Sequence, residues 1–140
     1  MLYLTGAAQQ LVTAYSSRFL GSLLSPRQST KPTSGIPWAA DNDCFTQGPT
    51  FSLEKYHDWL ANCRIYSRDC LFATLPDVMG DAKATLVRSL EATKALTDLS
   101  FRWAFVLQDG ATHHDVPWDR VGAIFIGGST QFKTSGDART

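Results

Sequence analysis

Four short polar groups each follow directly after an apolar run. They are Asp41-Asn42 after PWAA, Pro76-Asp77 after CLFATL, Gln108-Asp109-Gly110 after WAFVL, and Gly127-Gly128-Ser129 after AIFI. Carboxylate, carboxamide and hydroxyl side chains hold polar ligands through hydrogen bonds. Any one group alone reads as turn chemistry, since Asp, Asn and Gly are common in turns. All four occupy the same end of their runs, which points to one shared site. In barrels and open α/β sheets the carboxyl ends of the strands form the active face.

Other residues offer rival chemistry. His113-His114-Asp115 carries metal-ligand types, but adjacent side chains of an extended stretch point to opposite sides, so two imidazoles there do not converge on one ion. His57 falls on a predicted helix near Glu54 without the HExxH spacing. Cys44 lies close to Asp41, yet no histidine is near it in sequence to activate the thiol. No GxxxxGK[ST] phosphate loop is present. IFIGGST (124–130) offers a strand and turn of the kind that binds phosphate on other barrels. The isolated Arg102 and Arg120 read as solvated surface.

The elements that position these groups follow from the pattern of apolar residues. Runs at 2–5, 21–25, 37–40, 70–75, 103–107 and 123–126 have strand lengths, and several are apolar throughout, as in parallel sheets covered on both faces. Between them lie helical patterns. Residues 7–20 place Leu11, Val12, Tyr15, Phe19 and Leu20 on one stripe. In 52–63 the stripe is Leu53, Tyr56, Leu60 and Cys63, with Ser52 as N-cap. In 81–97 it is Leu86, Val87 and Leu90, with Asp81 as cap. Residues 26–36 are a polar loop, and 133–140 read as a polar C-terminal tail. Trp38, Trp59, Trp103 and Trp118 are expected in the core or wall. Alternating strands and helices predict a parallel α/β fold.

Composition excludes several classes. The 140 residues suffice for one domain. Thirteen basic and thirteen acidic residues leave no bulk charge with which to grip nucleic acid. No apolar run approaches the roughly 20 residues of a membrane span, and the N-terminus lacks the basic and apolar regions of a secretory signal. Cys44, Cys63 and Cys70 are odd in number and form no CxxC, which argues against a disulfide framework or cysteine-rich zinc site and for reduced thiols in a cytoplasm.

WAADNDCF (38–45), LFATLPDVMGDAKATL (71–86) and FVLQDGATHHDVPWDRVGAIFIGGSTQFK (105–133) resemble a phage and bacterial branch of the tRNA-guanine transglycosylase superfamily. That branch is described as queuine tRNA-ribosyltransferase-like, or as the deazapurine DNA transglycosylases. LYLTGAA and SLLSP near the N-terminus resemble it as well, so the likeness runs in order along nearly the whole chain. The pattern is close to WAxDNGxF, PDVxGDxxxTL and QDG…PW…FIGGSTEWK.

The resemblance implies a (β/α)8 barrel that exchanges guanine for a 7-deazaguanine in DNA or tRNA. An aspartate nucleophile attacks the sugar C1′ and forms a covalent intermediate, as a carboxylate does in retaining glycosidases. It implies general acid/base or positioning work for Asp41, with Asn42 beside it. It implies reading of the purine edge by Asp77, contact with the base carbonyl by Gln108, and backbone packed against the base at Gly127 and Gly128. No cofactor or metal is implied. A phage-encoded chain would work in the host cytoplasm.

Three departures matter. Asp43 stands where the pattern has glycine, and a positive φ there would make Asp costly, though less so than most residues. Gln131-Phe132 replaces Glu-Trp. A (β/α)8 barrel takes about 250 residues, whereas 1–132 offer about six strands, and no segment matches the DxVDG that carries the nucleophile. The expectation is therefore an incomplete TIM-type barrel carrying the base-recognition half of a site. The chain would be a truncated product, half of a split enzyme or a partial reading frame, and alone would be inactive. A complementing C-terminal half or a homo-oligomer would be its partner. The alternatives are a deazapurine- or nucleotide-binding remnant without catalysis, and an unrelated phosphate-binding α/β protein.

Overall fold

The computed structural model describes residues 1–6 and 19–135. Six strands form one sheet: β1 Tyr3–Thr5, β2 Leu20–Leu24, β3 Trp38–Ala40, β4 Cys70–Thr74, β5 Trp103–Leu107 and β6 Ala123–Ile126. Every adjacent pair is parallel, and the order across the sheet follows the order along the chain. A doubly wound sheet reverses its order at a switch point. This one does not, and it curls into a half-barrel. The described residues thus form an α/β fold with six parallel strands, each overlapping an expected run.

Four α-helices are described: α1 Cys44–Gln47, α2 Leu53–Cys63, α3 Ala82–Ala95 and α4 Thr130–Thr134. Ser52 caps α2 by accepting from the Lys55 N–H, and Asp81 caps α3 by accepting from the Ala84 N–H. Both caps satisfy N–H groups that a helix start leaves without partners. The helix expected over 7–20 lies outside the described residues except at its end, where Phe19 sits exposed in a turn and Leu20 already opens β2. At the other end α4 runs through Thr134, across the boundary expected at 132/133.

The core lies between one face of the sheet and the helices. Trp38, Ala40, Ala73, Leu75, Phe105 and Leu107 meet Tyr56, Leu60 and Cys63 from α2, and Ala92 and Leu96 at the end of α3. Trp38 is fully buried, takes Trp59 and Phe101 edge-to-face at 6.3 and 6.1 Å, and donates its indole N–H to the Tyr66 carbonyl. Such aromatic pairs add about 0.5–1.5 kcal/mol each beyond burial. Trp59 and Trp103 pack against the same core, whereas Trp118 is exposed, contrary to expectation.

The face of α3 also differs from its sequence pattern. Val87 and Leu90 are exposed, while Thr85, Ser89 and Ala92 are buried. The reason lies in the loop after β4, whose buried polar backbone needs partners. The Thr85 hydroxyl accepts from the Val78 N–H and donates to the Val78 carbonyl, and Ser89 donates to the Pro76 carbonyl. Hydroxyls therefore turn α3 so that its small polar side faces the loop.

Candidate functional site

The inward face of the curled sheet opens at the carboxyl ends of its strands into a cavity of about 420 Å³. Asp41, Asn42, Asp77, Gln108, Gly127 and Gly128 all line it. They come from the ends of β3, β4, β5 and β6, so the fold brings the six expected residues into one site.

Strand register sets their geometry. The Asp41 N–H donates to the Leu24 carbonyl at 2.7 Å, which anchors the end of β3 on β2. The Asn42 N–H donates to Thr74 Oγ1 at 2.8 Å, which ties the same turn to β4. Asn42 Nδ2 then reaches the Leu75 carbonyl at 2.8 Å and Asp77 Oδ1 at 3.0 Å. From the other side Gln108 Nε2 donates to Asp77 Oδ2 at 2.6 Å, and Gln108 Oε1 accepts from the Gly80 N–H at 2.9 Å. The Asp77 carboxylate is thus held between two carboxamides, and each of its oxygens keeps acceptor capacity. Gln108 is similarly fixed and keeps one N–H.

Burial sets the acid–base character of the two aspartates. Loss of solvation raises the Asp77 pKa, opposed by the Asn42 and Gln108 hydrogen bonds and reinforced by Asp41. Asp41 is raised mainly by burial, opposed by the Asp43 N–H, which donates to its Oδ1 at 3.1 Å. A buried carboxyl pushed upward is suited to passing a proton.

Asp43 adopts φ 63°, the one positive φ outside glycine among the described residues. The position where the resembling pattern has glycine is therefore left-handed in fact. Asp43 also precedes α1 without capping it, and its buried Oδ2 has no hydrogen-bond partner.

The two glycines are required by the protein itself. A Cβ on Gly127 would stand 2.7 Å from Val106 Cγ1 and 2.9 Å from Gln108 Nε2. Gly128 has φ 76°, and a Cβ there would meet Asp109 Oδ2 at 2.5 Å. Asp109 explains the loop's shape: its carboxylate accepts from the Ser129 N–H at 2.8 Å and from the Ser129 hydroxyl at 2.5 Å. The Gly127 N–H is spent on the Leu107 carbonyl. Three donors of the loop, the Gly127 and Ser129 N–H groups and the Ser129 hydroxyl, are thus used within the protein, with a carboxylate behind them.

No family model, curated protein or solved structure matches this chain.

Sequence reasoning passed over other lining residues: Phe45, Thr74, Met79, Val106 and Lys133. Phe45 and Met79 are 72% and 58% exposed, so both present apolar surface to solvent. Phe45 carried a readable signal, as an aromatic within the polar turn after a strand. Met79 and Lys133 carried none.

The rival centres resolve differently. Cys44 is buried, and burial pushes its thiol up to about 12, which disfavours the thiolate at neutral pH. His113 and His114 are not extended. They lie in a 3₁₀ turn closed by Thr112 and Asp115, with ring centroids 3.7 Å apart. Among the described residues no group of three His, Cys, Asp or Glu side chains could hold a metal ion. Arg102 donates to the Gly122 carbonyl, and Arg120 pairs with neighbouring Asp119. No helix among the described residues is long and apolar enough to cross a membrane.

Proposed function

We propose that the cavity recognises a guanine- or 7-deazaguanine-type base, as the base-reading half of a transglycosylase-like site on a TIM-type barrel. The observation that carries this reading is the clamped Asp77 carboxylate. A guanine-type edge presents two parallel donors, the ring N–H and the exocyclic amine. A fixed carboxylate with acceptor capacity on both oxygens matches them as a pair. The remaining Gln108 N–H suits the base carbonyl, and Phe45 and Met79 offer apolar surface to the ring face. Asp41, raised by burial, is placed to hold or move a proton at the base. The left-handed Asp43 at the pattern's glycine position supports the same reading.

The carboxylate that would attack the sugar comes in this reading from another segment or a second chain, so these 140 residues bind base without exchanging it in DNA or tRNA. Spent donors in the Gly127–Ser129 loop weigh against the phosphate-binding alternative.

The test is calorimetric titration of the chain with 7-deazaguanine and with adenine. We expect binding of the first only. Asp77→Asn keeps the shape but turns one acceptor into a donor. The loss of a charge-assisted bond, about 1.5–3 kcal/mol, weakens binding roughly 10- to 150-fold. Equal affinity of wild type and Asp77→Asn would overturn the proposal.

A further inference from the structure

A second groove of about 410 Å³ adjoins the base cavity and shares Phe45, Asp77 and Met79 with it. Arg88 of α3 forms part of its wall. The guanidinium is held in place rather than free: Nη1 donates to the Asp77 carbonyl at 3.0 Å, and Cζ lies 4.8 Å over the Phe51 ring. No carboxylate among the described residues pairs with it. Most of its five N–H donors therefore remain for a ligand. A half-buried arginine, stacked on an aromatic ring and lacking an acidic partner, presents a fork that fits the oxygens of a phosphate.

Position supplies the second half of the argument. Asp77 faces the base cavity with its carboxylate and holds Arg88 with its own carbonyl, so one residue fixes the spacing between the two sites. We infer that this groove is an anion subsite, taking a phosphate attached to the same ligand whose base enters the cavity. The inference rests on the base-binding reading and extends it from a base to a nucleotide. Arg88 would be a specificity-determining residue, separated in sequence from every polar group at the strand ends.

The experiment compares four probes on the intact chain: 7-deazaguanine, its ribonucleoside, the nucleoside 5′-monophosphate and inorganic phosphate. We expect the monophosphate to bind at least tenfold more tightly than the nucleoside. Inorganic phosphate should compete with the monophosphate and leave binding of the free base unchanged. Arg88→Leu should erase the advantage of the monophosphate, and Arg88→Lys, which keeps the charge, should retain part of it. A far-ultraviolet circular dichroism spectrum and a urea midpoint close to those of wild type would show that both variants remain folded.

Equal binding of nucleoside and monophosphate by wild type, with base binding still sensitive to Asp77→Asn, would overturn the subsite and leave the base reading standing. Phosphate binding that depends on Arg88, with no binding of base or nucleoside, would overturn the base reading, and with it the claim that the phosphate belongs to the same ligand. The competition measurement needs no variant, so it decides the matter even if both Arg88 variants fail to fold.

Discussion

Replacing Asp43 with glycine should stabilise the protein, and the contributions can be worked from its surroundings. The residue holds φ 63°, and relief of a left-handed conformation is worth about 1 kcal/mol for a residue as tolerant as aspartate. Its buried Oδ2 lacks a hydrogen-bond partner, and removing an unsatisfied buried acceptor recovers about 1–3 kcal/mol. Against this, Arg27 Nε stands 3.9 Å from Oδ2 with its side chain 57% exposed. A pair so solvated contributes at most about 1 kcal/mol. The freer unfolded chain of a glycine costs about 0.4–1 kcal/mol more. No cap is lost, because Asp43 makes none for α1. The balance is a gain of about 1 kcal/mol, a shift near 0.5 M in the urea midpoint. Asp43→Ala separates the contributions, since it removes the carboxylate but keeps Cβ. It should fall below the glycine variant by about 1 kcal/mol, the left-handed penalty of about 1–2 kcal/mol less the chain entropy of about 0.4–1 kcal/mol that only glycine loses. A glycine variant less stable than wild type by 1 kcal/mol or more, or an alanine variant equal to glycine, would refute the reasoning.

Three further outcomes are expected. Gly127→Ala places a methyl against Val106 and Gln108, costs about 1–3 kcal/mol in urea unfolding as overpacking does, and weakens base binding by displacing the clamp on Asp77. His57 Nε2 contacts both oxygens of Asp98 at 3.0–3.1 Å, and its pKa is raised by that bond and then by Asp58, while Asp98 is lowered by His57. The histidine's contribution is full below its unfolded value of 6.5 and lost as pH rises through its folded one. That of the aspartate is present above 3.8 and lost as pH falls through its own folded value. Melting temperatures of wild type and His57→Gln should therefore differ most between those limits and converge on either side. Burial raises all three thiols, Cys44 and Cys70 to about 12. Iodoacetamide at pH 8 should accordingly label the native chain far more slowly than the denatured one, as mass spectrometry would show.

The strands were legible because each is a short apolar run bounded by polar turns, and the helices expected in three of the five connections pointed to parallel neighbours. The site was legible because its residues sit at strand ends, where the sheet itself gathers them. The buried face of α3 was not, because hydropathy favours Val87 and Leu90 while the loop at Pro76–Val78 demands hydroxyls. Residues α1 and α4 were missed because four or five residues are too few to show a helical period. Arg88 was invisible because the Phe51 and Asp77 that hold it in place are distant in sequence.

The order of strands has a kinetic consequence. The longest connections between described strands, Ala40 to Cys70 and Thr74 to Trp103, both end on β4. Each doubling of a closed loop costs about 0.6 kcal/mol in chain entropy. Docking β4 is therefore the most expensive closure in the sheet, and Thr74, Leu75 and Asp77 arrive with it. The clamp on Asp77 cannot assemble before that event, because its two carboxamides come from the ends of β3 and β5 on either side of β4.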